Sequence, residues 1–309
     1  MGRLNWVDVE TGAVDNAIGQ ANTRESFAGY CGSTNFFGLL TIAVTNSHIH
    51  PHKGSKMRIR QIALVAKDMQ PVKEALFGLL GLQEAHIDPK IITFGLQNVV
   101  MALGDTFLEV VSPVEEGTTA GRLLERRGGD GGYMVIVQVD DLASEKERLA
   151  TTPIRIIWQT DSVRAKAVHL HPKDVPGVIA SLDQMIPPEA WHWAGSEWPQ
   201  RKAQFVKGIC GAEVQTDDPT ATAEQWSLAY AHPIVRKEGS PTLSFGSTEV
   251  RFVAIKDQRG PGLRAIDVIT TDLSKVLDAA DQQHLPRQKN AVEVCGITIN
   301  FIEHGPDGQ

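Results

Sequence analysis

Four segments of the chain repeat one local order, in which a run of β-branched and apolar residues meets an acidic residue and then a helical pattern. The acidic residues at these junctions are Asp68, Asp141, Asp218 and Asp272. A β-branched run followed by apolar residues at helical spacing is typical of a strand that leads into an amphipathic helix. Because the order recurs along 309 residues, the sequence predicts four small modules in two pairs.

The first module is the most complete of the four. Residues 59–66 (IRQIALVA) predict a strand, and apolar residues at helical spacing over 72–80 predict a helix that ends before Gly81. Gly104-Asp105 marks a tight hairpin between the last two of the strands that follow. Those strands are expected at 83–87, 96–103 and 106–111. The module is therefore a βαβββ unit.

The other three modules follow the same plan. The second is expected to begin with the strand at Tyr133 and to continue with a helix from Leu142. Its remaining strands are predicted at 154–158, 165–171 and 177–183. The third and fourth modules are predicted to have strands at 208–216, 243–245, 249–253, 263–269, 292–294 and 297–302, with helices at 221–230 and 274–283. The predicted fold class is α+β, with tandem βαβββ modules pairing into curved, cup-like mixed β-sheets and helices on the outer face.

The charge and cysteine content limit the partners and location of the chain. A net charge of -7 and a pI near 5.8 provide no basic face for nucleic acid or an anionic membrane. The cysteines Cys31, Cys210 and Cys295 are too far apart for a disulfide framework or a CxxC metal site. The apolar stretch at 36–44 is too short to cross a bilayer. The sequence predicts a cytoplasmic protein with a small-molecule substrate, and it leaves open a homodimer.

Several motifs of the first two modules occur in a characteristic order. They are GLLGL at the end of the first helix, GDTFLEVVSP, GGDGGYMVIVQVDDL and LHPKDVPGVIASLD. In this order they resemble the vicinal oxygen chelate superfamily, which includes glyoxalase I, bleomycin-resistance proteins, methylmalonyl-CoA epimerase and extradiol dioxygenases. The resemblance implies paired βαβββ modules around a cavity, where a divalent metal commonly polarises the substrate. It covers residues 57 to about 183 and thins in the C-terminal half.

The domain boundaries follow from the periodicity and from this resemblance. Residues 1–56 show no sustained period and are predicted to be a poorly ordered extension. We expect a glyoxalase-like domain of two modules over 57–199. A second, degenerate glyoxalase-like domain of two shorter modules is expected over 200–309, without a plausible ligand set. The linker between them, which carries Trp191, Trp193 and Trp198, is predicted to pack back on the first domain.

Strand alternation predicts which side chains face the cup of the first domain. Neighbouring residues on a strand point to opposite faces of the sheet. Ile62 and Leu64 are predicted to pack under the helices, so that Gln61 and the residues at 63 and 65 face the cup. By the same rule Phe107 and Glu109 point inward. A carboxylate on an apolar inward face is costly unless it is paired, protonated or bound to a metal, which makes Glu109 the leading candidate for function.

The resemblance implies metal ligands at matching points of the first and last strand of each module. The first module has Gln61 and Glu109 there, whereas the second has Met134 and Ser181. A thioether and a hydroxyl are poor ligands for the divalent ions common in such sites. His169 supplies a third ligand if its face of the strand is the cavity. The sequence therefore leaves open a site of Gln61, Glu109 and His169 for Mn, Ni, Zn, Mg or Fe, or no metal at all.

The same groups allow chemistry without a metal. Glu109 with a raised pKa can act as general base or acid, assisted by His169 or Tyr133, in removing a proton next to a carbonyl. The residues predicted to contact the substrate are Phe107, Arg122, Arg126, Met134 and Ser181.

The leading functional prediction is a glyoxalase-like small-molecule enzyme of lyase or isomerase type, acting in the cup of the first module pair. The alternative is a non-catalytic protein of the bleomycin-resistance type that binds and sequesters a small molecule. An extradiol dioxygenase is less favoured, because that chemistry needs an iron site of two histidines and one carboxylate, and the chain lacks these ligands at the expected positions.

Overall fold

A computed structural model describes residues 56–303 of the chain. The predicted extension at 1–56 thus lies, except for Lys56, outside the described residues. The first of two mixed sheets contains β1 (Arg58–Val65), β2 (Leu96–Leu103), β3 (Thr106–Pro113), β4 (Gly131–Gln138), β5 (Ile156–Asp161), β6 (Ala165–Leu170) and β7 (Ile179–Met185). Their order across the sheet is β2-β3-β1-β4-β7-β6-β5, and the antiparallel pair β1 and β4 joins the first two modules.

The second sheet repeats this plan with eight strands. They are β8 (Val206–Thr216), β9 (Ile234–Lys237), β10 (Ser240–Phe245), β11 (Thr248–Ala254), β12 (Gly262–Thr270), β13 (Arg287–Gln288), β14 (Ala291–Val294) and β15 (Ile297–Glu303). Their order is β13-β14-β15-β12-β8-β11-β10-β9, and β8 and β12 form the central antiparallel pair. The predicted α+β fold of tandem modules is confirmed; the sequence did not predict the short strands β9 and β13.

The acidic residue at each module junction caps the helix that follows it. The helices are α1 (Met69–Leu80), α2 (Thr119–Arg127), α3 (Leu142–Leu149), α4 (Pro219–Tyr230) and α5 (Leu273–Gln282). The Asp68 carboxylate accepts a hydrogen bond from the backbone N–H of Gln70 at the start of α1, and Asp141, Asp218 and Asp272 cap α3, α4 and α5 in the same way. Such a cap typically stabilises a helix by about 1 kcal/mol, so these residues mark where each strand ends and its helix begins.

The helix-covered faces of the two sheets share one apolar core. Ile62 and Leu64 of β1 belong to the same buried cluster as Val214 of β8 and Ile266 of β12, and Leu76 of α1 packs within it. Each of these side chains is fully buried. Burial of one such side chain contributes about 1.5–3 kcal/mol. The two sheets are therefore packed through their helical sides, and their other faces point away from this core.

The segment between the first two modules differs from the prediction. Residues 83–87 are expected to form a strand, but there His86 pairs with Val100 only as an isolated bridge, and a 3₁₀ helix follows at Pro89–Phe94. The polar connector at 115–132, for which the sequence predicts no helix, contains α2. This helix lies on the cup side of the first sheet, because its Leu123 and Leu124 pack against the cup-side cluster. The other four helices lie on the outer face, as predicted.

A ring contact and a following segment complete the cup of the first sheet. The ring of Phe94, just before edge strand β2, lies 5.6 Å from the ring of Trp158 on the opposite edge strand β5. The sheet is thus curled until its two edges meet. Residues 187–200, here called the strap, follow β7 and contain two 3₁₀ turns, His192–Ala194 and Trp198–Gln200.

No helix within residues 56–303 is long and apolar enough to cross a membrane.

Candidate functional site

The first sheet has the alternation that its sequence predicts. Ala63 and Phe107 belong to the apolar cluster on the cup side, whereas Ile62 and Leu108 belong to the core under the helices. Glu109 shares the face of Phe107, and its side chain is only 7% exposed. A carboxylate therefore lies inside an apolar cup.

Two neutral amides hold the Glu109 carboxylate. Its Oε2 accepts a hydrogen bond of 2.8 Å from Gln61 Nε2, and its Oε1 accepts one of 2.6 Å from Asn98 Nδ2. Burial raises the pKa of Glu109, the two hydrogen bonds lower it, and the negative charge of Asp88 raises it. Within residues 56–303 no Lys, Arg or His forms an ion pair with this carboxylate. Burial is the largest of these influences, so the protonated form is favoured more than in water.

Each of the two amides is itself oriented by a donor. Trp191 of the strap donates from Nε1 to Gln61 Oε1 over 2.7 Å. The backbone N–H of Asp88 donates to Asn98 Oδ1 over 3.0 Å. An amide whose oxygen accepts on one side must present its NH₂ group on the other. Glu109 is therefore met by donors on both oxygens, a pattern that the spacing of Gln61 and Glu109 alone does not predict.

The strap covers the predicted substrate-contacting ring of Phe107. The Trp191 ring stacks on Phe107 with 5.8 Å between centroids, and the Trp198 ring meets it edge-on at 5.2 Å. The guanidinium of Arg60 lies 5.5 Å from the Phe107 centroid. Phe107 is fully buried. This ring therefore packs against its own chain, and its proposed contact with substrate requires the strap to move.

Tyr133 is the nearest of the predicted assisting groups. It is buried in the cup-side cluster, and both burial and the negative charge of Glu109 raise the pKa of its hydroxyl. Arg122 acts in the opposite direction. The hydroxyl stays neutral at physiological pH and can donate a hydrogen bond.

A second buried acid, Asp183, lies on the cup face of β7 and was not predicted. Its Oδ1 accepts a 2.7 Å hydrogen bond from Ser181 Oγ, and its Oδ2 accepts one of 2.7 Å from Trp193 Nε1 of the strap. Burial raises the pKa of Asp183 to about 7, against the effect of these two donors. Ser181, predicted to contact substrate, is fully buried and is bonded to Asp183 instead. Period-two spacing from Ser181 was the signal that could have located this acid.

His169 lies far from Glu109 along the sheet. It sits on β6, and β4 and β7 separate that strand from β1. The imidazole stacks on Trp158 with 4.3 Å between ring centroids, and burial lowers its pKa to about 4. It is therefore neutral at physiological pH. The ring contact of His169 is with Trp158, whereas Gln61 and Glu109 bond to each other on the far side of β4 and β7.

Comparison with known proteins finds relatives that match part of the chain. No protein-family profile matches the chain. Mouse mitochondrial methylmalonyl-CoA epimerase is 25% identical over 130 residues, which cover 41% of this chain and 72% of that protein. The ethylmalonyl-CoA/methylmalonyl-CoA epimerase of Cereibacter sphaeroides is 24% identical over 132 residues, which cover 41% of this chain and 98% of that protein. A mutant of 4-hydroxymandelate synthase from Streptomyces coelicolor matches with a TM-score of 0.59 at 15% identity, over 77% of this chain and 78% of that chain. These matches agree with the resemblance of the sequence motifs to the vicinal oxygen chelate superfamily.

The residues of the site do not fit the metal that the resemblance to the vicinal oxygen chelate superfamily implies. The Gln61 oxygen already accepts from Trp191, and its nitrogen, which cannot ligate, faces Glu109. The cup-facing Met134 adds only a thioether. Within residues 56–303 no three His, Cys, Asp or Glu side chains lie close enough to hold an ion. In this arrangement the predicted set of Gln61, Glu109 and His169 is not assembled.

The basic residues of α2 divide between two environments. Arg122 is exposed, and its Nη1 donates to the carbonyl of Gly117 over 2.6 Å. Arg126 is exposed as well. The next residue, Arg127, is only 4% exposed, and it donates to the carbonyls of Gly260 and Pro261 near the start of β12. Arg122 and Arg126 stay predicted substrate contacts, whereas Arg127 ties α2 to the second sheet.

Proposed function

We propose that the chain is a small-molecule enzyme of the isomerase type, in which Glu109 moves a proton at a carbon next to a carbonyl. The observation that carries this proposal is the buried Glu109 carboxylate, held by Gln61 and Asn98 rather than by a cation. A carboxylate with a raised pKa and neutral partners can both take up and return a proton. A carboxylate that forms an ion pair with an arginine stays ionised and is a poorer proton acceptor and donor.

The step that we propose balances without a cofactor. The Glu109 carboxylate removes the proton from the carbon, and the electron pair of the C–H bond moves to form the enolate of the carbonyl. The neutral Tyr133 hydroxyl donates a hydrogen bond toward the enolate oxygen. The enolate carbon is planar, so delivery of the proton from Glu109 to its opposite face, once the enolate has turned over in the cup, inverts the configuration and completes an isomerisation. Burial raises the pKa of the Tyr133 hydroxyl, and the negative charge of Glu109 raises it further, which supports this pairing.

The names of the relatives suggest the substrates to test first. Methylmalonyl-CoA and ethylmalonyl-CoA carry an acidic C–H between two carbonyl groups, which suits the proposed step. In D₂O, the wild-type protein should exchange this proton for deuterium, measured by NMR. Glu109→Gln should lower the exchange rate by about 10²- to 10⁴-fold, because the amide keeps the shape but not the base. Glu116→Gln, at an exposed acid of the connector, is the matched control and should leave the rate unchanged.

A second candidate is a non-catalytic binding protein. It is favoured by Met134 and Ser181, which stand where the superfamily usually has metal ligands. Binding raises the apparent stability of the native state, so ligands that shift the melting temperature without any proton exchange in the wild type support this alternative. A homodimer and a cytoplasmic location stay predictions.

A further inference from the structure

The Gln61 amide forms a relay between the strap and the sheet. The indole of Trp191 has one N–H and no acceptor, so it can bond only to the oxygen of the amide. The nitrogen of Gln61 is then directed to Glu109, over 2.8 Å. If Trp191 were absent, the amide could turn by 180° and place its oxygen beside the carboxylate. The orientation of Gln61 thus depends on a residue 130 positions away in the chain.

We propose that Trp191 is a positioning residue for Glu109, which keeps the Gln61 amide nitrogen toward the carboxylate and the amide oxygen away from any ligand. The inference rests on the proposed function, and it names the part of the chain that regulates the base. It assigns the strap a role that its stacking on Phe107 does not require. The indole of Trp198 also packs on Phe107, but it donates to the carbonyl of Ala190 and has no hydrogen bond to Gln61.

The charges around Glu109 determine the direction of the expected effect. Asp88, from the loop before the 3₁₀ helix, raises the pKa of Glu109, and Asn98 of β2 lowers it. Tyr133 of β4 is neutral, and Arg122 of α2 is the cation that acts on Tyr133. The Gln61 donor acts together with Asn98, since it stabilises the ionised form. If the Gln61 hydrogen bond is lost, only Asn98 still lowers the pKa of Glu109, while burial and Asp88 continue to raise it. The pKa of Glu109 should therefore rise.

The test compares Trp191→Phe with Trp198→Phe, because both remove an indole N–H above Phe107 and keep an aromatic ring. With Trp191→Phe, the acid limb of the kcat/KM profile should move to higher pH. At pH values below that limb, kcat/KM of Trp191→Phe should be roughly fivefold lower than that of Trp198→Phe. This factor corresponds to the typical net free energy of one hydrogen bond. A ¹³C NMR titration of the labelled Glu109 carboxyl, assigned by its loss in Glu109→Gln, should show the same displacement without any turnover.

A double-mutant cycle shows whether Trp191 acts through the amide. Gln61→Met removes both the donor to Glu109 and the acceptor of Trp191, and it should displace the titration in the same direction. Trp191→Phe added to Gln61→Met should then have no further effect, because coupled residues are not additive. Additive displacements, or a Glu109 titration equal in Trp191→Phe and wild type, would overturn the inference. Full exchange activity in Glu109→Gln would instead remove the proposed function, so the two failures are distinguishable.

Discussion

The two sheets present cups of opposite electrostatic character. In the first, Glu109 and Asp183 are bonded to amide, hydroxyl and indole donors. In the second, the acids on the corresponding face are paired with cations: Arg251 bonds to Asp267 and, at 3.3 Å, to Glu249. An acid held by neutral donors can change its protonation state at moderate cost, whereas one paired with arginine stays ionised. The proposed proton transfer therefore suits the first cup, whereas the charges of the second cup balance one another.

The largest expected effect breaks the charge balance of the second cup. Arg251→Met leaves Asp267 and Glu249 as buried or half-buried acids without their common cation. Removing one partner of such a network typically costs about 3–5 kcal/mol, because the remaining charge stays uncompensated. Urea unfolding should show this loss, with Arg236→Met, on the exposed strand β9, as the control. A loss below about 1 kcal/mol would mean that water already screens the cluster.

The second prediction concerns the pH dependence that Asp183 imposes on folding. Its pKa is raised from 3.8 to about 7, so its contribution to stability is fully present below pH 4 and is lost as the pH rises through 7. Between these values one such group changes the free energy of unfolding by at most about 1.4 kcal/mol per pH unit. The difference between wild type and Asp183→Asn, from urea unfolding at several pH values, should show this slope. A difference independent of pH would contradict the buried, neutral partners described for Asp183.

The smallest expected effect lies at the rim of the second cup. Arg264 bonds to Glu213 at 2.7 Å, and the side chain of Arg264 is 30% exposed. Partly exposed pairs contribute about 0–1 kcal/mol and are screened by salt. Arg264→Met should therefore cost less than about 1 kcal/mol in urea unfolding, with the cost falling further in 1 M NaCl. A cost comparable to that of Arg251→Met would show that the charged cluster acts as a single unit.

The sequence predicts the fold well because its signals are local. The acids at the module junctions cap the helices, and strand alternation correctly places Gln61, Phe107 and Glu109 in the cup. Asn98 and Asp183 lie on predicted strands, and the same alternation rule puts them on the cup face. They were not predicted as site residues, because the resemblance implies metal ligands at other positions, such as that of Ser181.

The remaining parts of the site depend on contacts between distant residues. Trp191 reaches Gln61 across 130 positions, and no local pattern in the strap predicts that hydrogen bond. His169 lies on the cup face of β6, because Val168 and Leu170 belong to the core under the helices. Three strands separate β6 from the strand of Glu109, and this order follows from topology rather than from spacing in the sequence. The helix α2 was not predicted, although its side-chain cap at Thr118 is a local signal.

The meeting of Phe94 and Trp158 has a mechanical consequence. These rings join the two free edges of the first sheet, where no strand pairing closes the circle. Parting them forfeits one aromatic contact, worth about 0.5–1.5 kcal/mol beyond its buried area. Separating strands anywhere else in the sheet would rupture a whole ladder of backbone bonds. The circumference of the curled sheet can therefore change most easily where these two edges meet, which allows the cup to fit ligands of different size.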